Sequence, residues 1–341
     1  MRRVAILGAG SWGTALAQTL CRQGLEVRLW ARTAERAAEM SHSRRNLRYL
    51  PDLEIDPSIV ITHDMARACG GGELVIVAVP SHVLGEIARL AGPHLDPAAA
   101  VMSAAKGFDL DRLRTMSQVL LEVLGEGWRP RLLAMSGPNI AVEVALGLPA
   151  ATVVAGFDSD WAESVRDTCT GAQLRVYSSP DLLGVEYGGA LKNVVAIAAG
   201  ICDGIGIGDN GKAAIITRGL AEMARLGVVA GAKPLTFAGL TGLGDCILTC
   251  MSPHSRNRLL GEAVARGRGL DEVIASTHMV AEGVNATRAA VRLAERHGVD
   301  MPIALEIHAV LFEGKPIATA LSDLMGRGPA DELRGLGLSG L

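Results

Sequence analysis

Lys192 is the most unusual charged residue of the sequence, because it lies in an almost entirely apolar stretch from Tyr187 to Ile197. If this stretch is helical, the residues three and four positions from Lys192 are glycine, valine and alanine, so none of them offers a carboxylate. A buried ammonium group is costly unless it meets a partner from elsewhere in the chain or a ligand. A lysine that transfers a proton is therefore favoured, and a lysine that reaches solvent from a helix edge is the alternative.

Lys106 is a second candidate, since this chain has only five lysines beside 28 arginines. It follows a predicted strand at 99–102, and Gly137 and Asn139 follow another predicted strand at 132–135. Ligands of open α/β sheets bind at the carboxyl ends of the strands. Each position alone is compatible with an ordinary turn, but together they are expected to line one crevice.

A glycine-rich loop follows the first predicted strand, with Gly8, Gly10 and Gly13 separated by Ala9, Ser11 and Trp12. Glycines at this spacing allow a tight turn and a close approach of a pyrophosphate to the backbone. The amino end of the following helix then faces the phosphates. The pattern lies between a strand and a helix, which favours a dinucleotide site over a simple glycine-rich turn.

Arg32 follows the second predicted strand, at a position where NAD-specific proteins use an acid to hold the ribose hydroxyls. Arg36 lies one turn further on. Because a guanidinium suits a 2′-phosphate, the sequence favours NADPH over NADH. A solvent-exposed arginine without a ligand is the alternative.

A third cluster combines an acid, hydroxyls and a guanidinium. Asp245 and Thr249 are four residues apart, which places them on one helical face. Ser255, Arg256 and Asn257 precede another predicted helix, where the hydroxyl, the guanidinium and backbone N–H groups would converge on a phosphate. The alternative is a capping serine beside an exposed arginine.

The overall composition excludes several classes of protein. The chain has 33 basic and 36 acidic residues, a net charge of −3 and 49% hydrophobic residues, so it shows no electrostatic signature for nucleic acid. Six scattered cysteines and eight histidines lack metal-ligand spacing, and no metal site is expected. The longest apolar tract, at 194–201, is too short to span a bilayer, so we expect a soluble, cytoplasmic protein with no integral membrane association.

The order of predicted elements indicates two domains. Continuous apolar runs alternate with helical patterns in the first half, which is typical of a doubly wound, mostly parallel α/β sheet. The predicted strands are at 4–7, 27–30, 60–62, 74–79, 99–102, 132–135, 152–155 and 174–177. Beyond residue 179 only helical periodicity remains. We therefore predict a Rossmann-like dinucleotide-binding domain at 1–179, an all-α substrate-binding domain at 180–334, and a tail at 335–341.

Taken together, these motifs closely resemble NAD(P)-dependent glycerol-3-phosphate dehydrogenase of the bacterial type. The most specific segments lie at 10–17, 189–194, 217–223, 242–245 and 255–258. The resemblance implies reversible reduction of dihydroxyacetone phosphate to sn-glycerol 3-phosphate for phospholipid synthesis. It implies NADPH or NADH as the cofactor, of which Arg32 favours NADPH, a phosphorylated triose as the substrate, and a homodimer by family habit.

The resemblance also assigns roles to individual residues. It makes Lys192 the proton-transferring residue, and Asn139 stands where many bacterial members carry serine or threonine. Residues implied to surround the substrate are Lys106, Gly137, Asn139, Asp245, Ser255, Arg256 and Asn257. Residues implied to contact the cofactor are Ser11, Trp12, Arg32, Lys106, Ala141, Arg256, Val280 and Glu282. The glycines of the loop and, at the substrate, Asn193 and Thr249 complete the candidate set.

A mechanism follows from these residue types. Hydride addition to the ketone builds charge on the carbonyl oxygen, and an ammonium directed at that oxygen stabilises the charge and supplies the proton. Asp245 and Asn193 are expected to orient Lys192. One alternative is another two-domain dehydrogenase acting on hydroxy acids or sugar acids, which would use an arginine for a carboxylate. The other is a non-catalytic NADPH sensor, which would have no use for Lys192.

Overall fold

A computed structural model describes residues 1–276, 282–329 and 332 of the chain. They form two compact units. The first contains Met1–Ala105 and Met116–Leu182, and the second contains Lys106–Thr115 and the described residues from Leu183 onward. Residues 106–115 thus belong to the second unit, although the predicted boundary at 179 assigns them to the first. The predicted tail at 335–341 lies outside the described residues.

The first unit contains a mostly parallel sheet, as predicted. Its ten strands in chain order are β1 (Arg3–Leu7), β2 (Glu26–Trp30), β3 (Arg45–Asn46), β4 (Leu50–Glu54), β5 (Val60–Thr62), β6 (Leu74–Val77), β7 (Ala100–Ser103), β8 (Leu132–Ser136), β9 (Ala150–Gly156) and β10 (Leu174–Ser179). Eight of them form one sheet in the order β10-β9-β8-β7-β6-β1-β2-β5, in which only the β8–β9 pair is antiparallel. The strand order reverses beside β1, so the glycine loop that follows β1 emerges at the place where such sheets bind ligands.

Helices cover the sheet and explain why its strands are continuously apolar. They are α1 (Ser11–Arg22), α2 (Ala34–Ser43), α3 (Met65–Cys69), α4 (Leu84–Ala91), α5 (Met116–Leu124), α6 (Ala141–Leu146) and α7 (Ser159–Cys169). Val4 and Ile6 of β1 share a core with residues of α1, α2 and α7. Ala5 and Leu7 share a second core with residues of α3, α4 and α5. Successive residues of one strand are therefore buried on opposite faces.

A small antiparallel hairpin, formed by β3 and β4, was not predicted from the sequence. Its segment is polar and contains Pro51, so it lacks the apolar run that identifies a covered strand. Leu50 and Leu53 are nevertheless buried in a small cluster with Val144 and Ala145 of α6. This packing stabilises a hairpin that local sequence preference does not indicate.

The described residues of the second unit from Leu183 onward are mainly helical, as predicted. Its helices are α8 (Leu182–Ile205, beginning at the last residue of the first unit), α9 (Gly208–Val229), α10 (Asp245–Met251), α11 (Arg256–Ala265), α12 (Leu270–Ala275), α13 (Glu282–His297), α14 (Pro302–Phe312) and α15 (Ile317–Met325). Among the described helices, α8 alone is long and apolar enough to cross a membrane, but 83% of its most apolar window is buried within the protein. That degree of burial is typical of a core helix.

Helix α8 approaches α11 so closely that only glycine fits at the contact. A Cβ on Gly200 would lie 1.8 Å from the carbonyl oxygen of Arg258, and one on Gly261 would lie 2.1 Å from that of Ile197. The two backbones therefore touch without intervening side chains. This contact brings the amino end of α11 close to the helix that carries Lys192.

Glu222 of α9 caps α14 from inside the core. Its side-chain oxygens accept hydrogen bonds from the backbone N–H groups of Ile303 (2.7 Å) and Ala304 (3.2 Å), and the residue is 3% exposed. Burial raises the pKa of Glu222 from 4.5 to about 7, although the two N–H donors oppose the shift. Between these two pH values, Glu222 is protonated in the folded protein but ionised in the unfolded chain.

This shift predicts a pH-dependent contribution to stability. Between about pH 4.5 and 7 the folded state binds more protons at Glu222 than the unfolded state does, so stability falls as the pH rises. The unfolding free energy of the wild type, relative to Glu222→Gln, should drop by about 2–3 kcal/mol from pH 4.5 to 7.5. Urea unfolding of both proteins at several pH values measures this difference. A difference that does not change with pH would contradict the prediction.

Candidate active site

Lys192 lies in the middle of α8 and is buried, with 6% of the residue exposed. Its Nζ donates to Oδ1 of Asp245 at 2.9 Å and to Oγ1 of Thr249 at 2.6 Å. Both partners come from α10 rather than from α8. The burial excludes a lysine that reaches solvent from the helix edge, and the ion pair supplies the distant partner that a buried ammonium group requires.

Lys106 binds the other oxygen of the same carboxylate. Its Nζ lies 2.6 Å from Oδ2 of Asp245, and its side chain is 20% exposed. One acid that is 1% exposed thus separates two ammonium groups, and the three side chains together carry one positive charge. A positive charge held in a largely buried place is suited to an anion that forms during a reaction.

The pKa values of the trio reflect this arrangement. Burial alone would raise the pKa of Asp245, but the charges of Lys106 and Lys192 hold it below its ordinary value. Burial lowers the pKa of Lys106 to about 8, and the charge of Lys192 adds to that effect while Asp245 opposes it. Lys106 is therefore mostly protonated at neutral pH and loses its charge in mildly alkaline solution.

The start of α10 is fixed by a glycine turn. A Cβ on Gly242 would lie 2.1 Å from the carbonyl oxygen of Phe237, so this position requires glycine. Thr241 donates from Oγ1 to the carbonyl of Val185 on α8 at 2.9 Å. Thr249 lies one turn after Asp245 and donates to its carbonyl oxygen at 2.6 Å, which leaves its hydroxyl oxygen to accept from the lysine. The acid and the hydroxyl share one face of α10, as their spacing predicts.

The side-chain amide of Asn193 binds groups other than the Lys192 ammonium group. Its Oδ1 accepts from Nδ2 of Asn257 at 2.9 Å, and its own Nδ2 lies 3.4 Å from the carbonyl oxygen of Lys106. Consecutive residues of a helix point about 100° apart, so Asn193 faces a different neighbour from Lys192. Oδ1 of Asn257 in turn accepts from the N–H of Gly283 at 3.0 Å. The two amides therefore connect α8, α11 and α13 and support the backbone of Lys106.

The amino end of α11 carries the predicted phosphate cluster. Ser255 is the N-cap, and its Oγ accepts from the N–H of Arg258 at 3.3 Å. Arg256 is the first helical residue and is exposed, whereas Asn257 is buried. This geometry agrees with a capping serine, and it also places a guanidinium at a helix amino end, where the helix dipole attracts anions.

The glycine loop of the first unit fits a bound dinucleotide. Gly8 has φ +122°, and a Cβ there would lie 2.5 Å from the carbonyl oxygen of Ala78. A Cβ on Gly13 would lie 1.9 Å from the carbonyl oxygen of Gly8. At Gly10, the N-cap of α1, an added Cβ would meet nothing within 4 Å. Open space beside a helix amino end is what a pyrophosphate needs, and Ser11 and Trp12 begin that helix.

A buried asparagine ties this loop to a nearby arginine. Asn46 is fully buried, and its Nδ2 donates to the carbonyl of Ala9 at 3.1 Å and to Oγ1 of Thr14 at 2.8 Å. Its Oδ1 accepts from Arg36 at 3.1 Å. Arg32 is exposed just beyond β2. The sequence did not reveal Asn46, since an asparagine in a polar segment gives no pattern to detect.

The loop after β8 contains the remaining predicted residues of the first unit. A Cβ on Gly137 would lie 2.8 Å from Cα of Thr152, so the loop packs tightly against β9. Asn139 donates from Nδ2 to the carbonyl of Ala151 at 2.9 Å. Its Oδ1 is buried and has no hydrogen-bond partner among the residues that the structure describes. An acceptor of this kind is available to a ligand hydroxyl.

The family is decided by two matching models. The model described as NAD-dependent glycerol-3-phosphate dehydrogenase N-terminus matches residues 3–162, and the corresponding C-terminus model matches residues 181–322. The chain belongs to the NAD-dependent glycerol-3-phosphate dehydrogenase family. This confirms the resemblance drawn from the five sequence segments.

Similar proteins extend over nearly the whole chain. Glycerol-3-phosphate dehydrogenase [NAD(P)+] of Pelotomaculum thermopropionicum is 47% identical over 337 residues, covering 99% of this chain and 97% of that protein. The enzyme of the same name from Moorella thermoacetica is 48% identical over 324 residues, covering 95% and 96%. The crystal structure of glycerol-3-phosphate dehydrogenase from Coxiella burnetii is 36% identical with a TM-score of 0.90, covering 96% of this chain and 99% of that one.

Within this family fold, the second unit brings most of the predicted substrate residues into direct contact. These are Lys106, Lys192, Asp245 and Thr249, with Asn193 and Asn257 bonded beside them. Glu282 is the first residue of α13, Ala141 is the first residue of α6, and Val280 lies outside the described residues. Among the described residues, no group of three or more histidine, cysteine, aspartate or glutamate side chains could hold a metal ion.

Asp245→Asn should destabilise the fold in a pH-dependent way. At pH 7 the two ammonium groups would lose the charge that compensates them, so the free energy of unfolding should fall by about 3 kcal/mol. At pH 9.5, above the pKa of about 8 of Lys106, one of the two groups is neutral and the loss should shrink. Urea unfolding of both proteins at the two pH values measures the change. An equal loss at both would mean that charge compensation is not what Asp245 provides.

Proposed function

We propose that the protein reduces dihydroxyacetone phosphate reversibly to sn-glycerol 3-phosphate, with NADPH preferred over NADH, and so supplies the backbone of phospholipids. The observation that carries the proposal is the buried carboxylate of Asp245, which holds the ammonium groups of Lys192 and Lys106 side by side. When bound, the reduced nicotinamide supplies the hydride that adds to C2 of the ketone. The side chains of the protein then have to stabilise the developing negative charge, deliver a proton and bind the phosphate of the substrate.

Lys192 is the proposed general acid. Two of its three N–H donors are directed at Asp245 and Thr249, which fix the position of Nζ. The remaining donor can hydrogen-bond to the carbonyl oxygen of the substrate and stabilise the negative charge that develops there. Transfer of this proton completes the alcohol, and in the reverse direction the neutral amine accepts the proton of the alcohol.

Lys106 is proposed to add positive charge beside the same oxygen. Its ammonium group is held by the carboxylate that also binds Lys192, so its charge stays near that of Lys192. Because burial lowers the pKa of Lys106 to about 8, this assistance should decline in mildly alkaline solution. Thr249 and Asp245 hydrogen-bond to Lys192, and we assign them the role of holding this general acid in position.

The phosphate of the substrate is proposed to bind at the amino end of α11. Arg256 provides a guanidinium and Ser255 a hydroxyl, and the first-turn N–H groups add to the helix dipole. The side-chain amide of Asn257 is already bonded to Asn193 and Gly283, so we assign its contribution to its backbone N–H. A phosphate held remote from C2 restricts the ketone to reacting positions.

The cofactor is proposed to bind the first unit. Gly8, Gly10 and Gly13, with Ser11 and Trp12, would receive the pyrophosphate at the amino end of α1, which supplies N–H donors. Arg32 and Arg36 would receive a 2′-phosphate, the basis of the preference for NADPH. Ala141, Val280, Glu282, Lys106 and Arg256 are further proposed contacts, by analogy with the family. Gly137 and the open Oδ1 of Asn139 are assigned to substrate hydroxyls.

An absorbance assay at the nicotinamide band tests the proposal. Dihydroxyacetone phosphate should be reduced rapidly, with a higher kcat/KM for NADPH than for NADH, and 2-keto acids should be inactive. Rapid reduction of a keto acid would favour the alternative hydroxy-acid dehydrogenase. Equal kcat/KM values for the two cofactors would overturn the role of Arg32. We also expect a cytoplasmic homodimer, which fractionation and light scattering would test.

Lys192→Met should reduce kcat by about 10²–10⁴, the scale expected when a general acid is lost. Methionine preserves most of the side-chain volume, so folding and NADPH binding should be retained. Lys315→Met is the matched control, because this lysine of the same unit pairs with Glu306 and Asp323 and should leave kcat unchanged. A Lys192→Met enzyme with near-normal kcat would show that the proton comes from another group.

Arg256→Ala should lower kcat/KM for dihydroxyacetone phosphate by roughly 30- to 1000-fold, because the guanidinium–phosphate contact is lost. Dihydroxyacetone, which has no phosphate, should be a poor substrate for both proteins and hardly worse for the variant. NADPH affinity is measured separately by fluorescence titration. If both substrates suffer equally while NADPH affinity and folding persist, Arg256 does not bind the phosphate.

A further inference from the structure

Arg258 is the last residue of the segment Ser255–Arg258, and the proposed function gives it no task. Its side chain is 12% exposed. Nε donates to the carbonyl oxygen of Ser252 at 3.1 Å, and Nη1 lies 2.6 Å from Oδ2 of Asp203 and 3.1 Å from Oε2 of Glu262. A single guanidinium thus joins a loop, the end of α8 and its own helix.

The loop that Arg258 holds is the one that precedes the proposed phosphate site. The N–H of Ser255 donates to the carbonyl of Ser252 at 3.2 Å, which closes a turn. The backbone N–H of Arg258 donates to Oγ of Ser255 at 3.3 Å. Main chain and side chain of Arg258 therefore hold both ends of the turn, which leaves Ser255 and Arg256 little freedom to move.

Asp203, the ion-pair partner of Arg258, lies on α8, the helix that carries Lys192. Asp203 of α8 binds Lys212 at 2.8 Å as well as Arg258. Burial alone would raise the pKa of Asp203, but these two cations hold it below its ordinary value, so the carboxylate stays charged. Nearby, the close approach of Gly200 to the carbonyl of Arg258 keeps the two backbones in contact.

We infer that Arg258 is a positioning residue that, through Asp203, sets the distance between the phosphate-binding end of α11 and the proton donor Lys192. The inference rests on the proposed phosphate site. A substrate gripped at one end reacts only if its ketone then lies within reach of the acid, and displacements of about 1 Å can lower rates by about 100-fold. An arginine with three fixed partners is suited to preserve such a distance, because its planar guanidinium binds them in fixed directions.

Arg266 offers a matched control, because it pairs with Glu262, which also binds Arg258. It pairs with the other oxygen of Glu262 but is 66% exposed, and its recorded ion pair makes no connection to Ser252 or to α8. Removing it deletes an arginine–glutamate pair of the same helix without releasing the turn. Exposed pairs of this kind contribute little to stability.

The test compares dihydroxyacetone phosphate with dihydroxyacetone in Arg258→Met, Asp203→Asn and Arg266→Met. Arg258→Met should lower kcat/KM for the phosphorylated substrate by about 10- to 100-fold, mainly through kcat, and that for dihydroxyacetone by less than about 3-fold. Asp203→Asn should change the same ratio in the same direction. Arg266→Met should leave kcat/KM for both substrates unchanged. The Kd of NADPH should stay within about twofold of the wild-type value in all three variants.

Loss of phosphate discrimination is a readout that general destabilisation would not produce. If Arg258→Met does not fold, Arg258→Lys takes its place, because a lysine can face Asp203 but cannot also bind the carbonyl of Ser252. Equal losses for both substrates, or none, in a folded variant would overturn the inference. If Arg256→Ala separates the two substrates while Arg258→Met and Asp203→Asn do not, the phosphate site stands and the positioning role falls.

Discussion

A carboxylate shared between two ammonium groups is the interaction on which the rest of the second unit depends. Asp245 is almost fully buried. One of its oxygens accepts a hydrogen bond from Lys192 and the other accepts one from Lys106. Removing three charges from water carries a large desolvation penalty, and buried ion pairs are weak contributors to stability. The arrangement is therefore better explained by its proposed action on a substrate oxygen than by a contribution to the stability of the fold. Its surroundings must then hold it together.

Close backbone contacts provide that support. Glycine is required at Gly242, where α10 begins, and at Gly200 and Gly261, where α8 meets α11. At Gly200 and Gly261 the main chains of α8 and α11 touch, so no side chains lie between these two helices at the contact. At Gly242 the turn before α10 packs directly against the backbone of Phe237. Well-packed interiors transmit displacement efficiently. A single added methyl group at any of these contacts would move one functional element relative to another.

The sequence was most informative where a local pattern carries the physics. Continuous apolar strands and the glycine loop at Gly8 predicted the sheet and its nucleotide site, and an apolar helix around Lys192 predicted a buried cation in need of a partner. The identity of that partner could not follow from helical spacing, because Asp245 lies 53 positions away and binds Lys106 across 139. The contacts of the Asn193 amide with Asn257 and with the carbonyl of Lys106 could not follow from the sequence for a related reason, since adjacent residues on a helix face different neighbours.

Charge balance explains why one acid must serve both lysines. Without Asp245 the two ammonium groups would repel each other, and one of them would lose its proton or leave the site. With Asp245 the trio keeps one positive charge, which in the proposed mechanism stabilises the ketone oxygen as it gains negative charge during reduction. A second carboxylate in contact with the trio would cancel that charge and leave the oxygen without stabilisation. Asp245 pairs with both lysines, and the one positive charge that this trio carries is the charge that the proposed proton transfer from Lys192 requires.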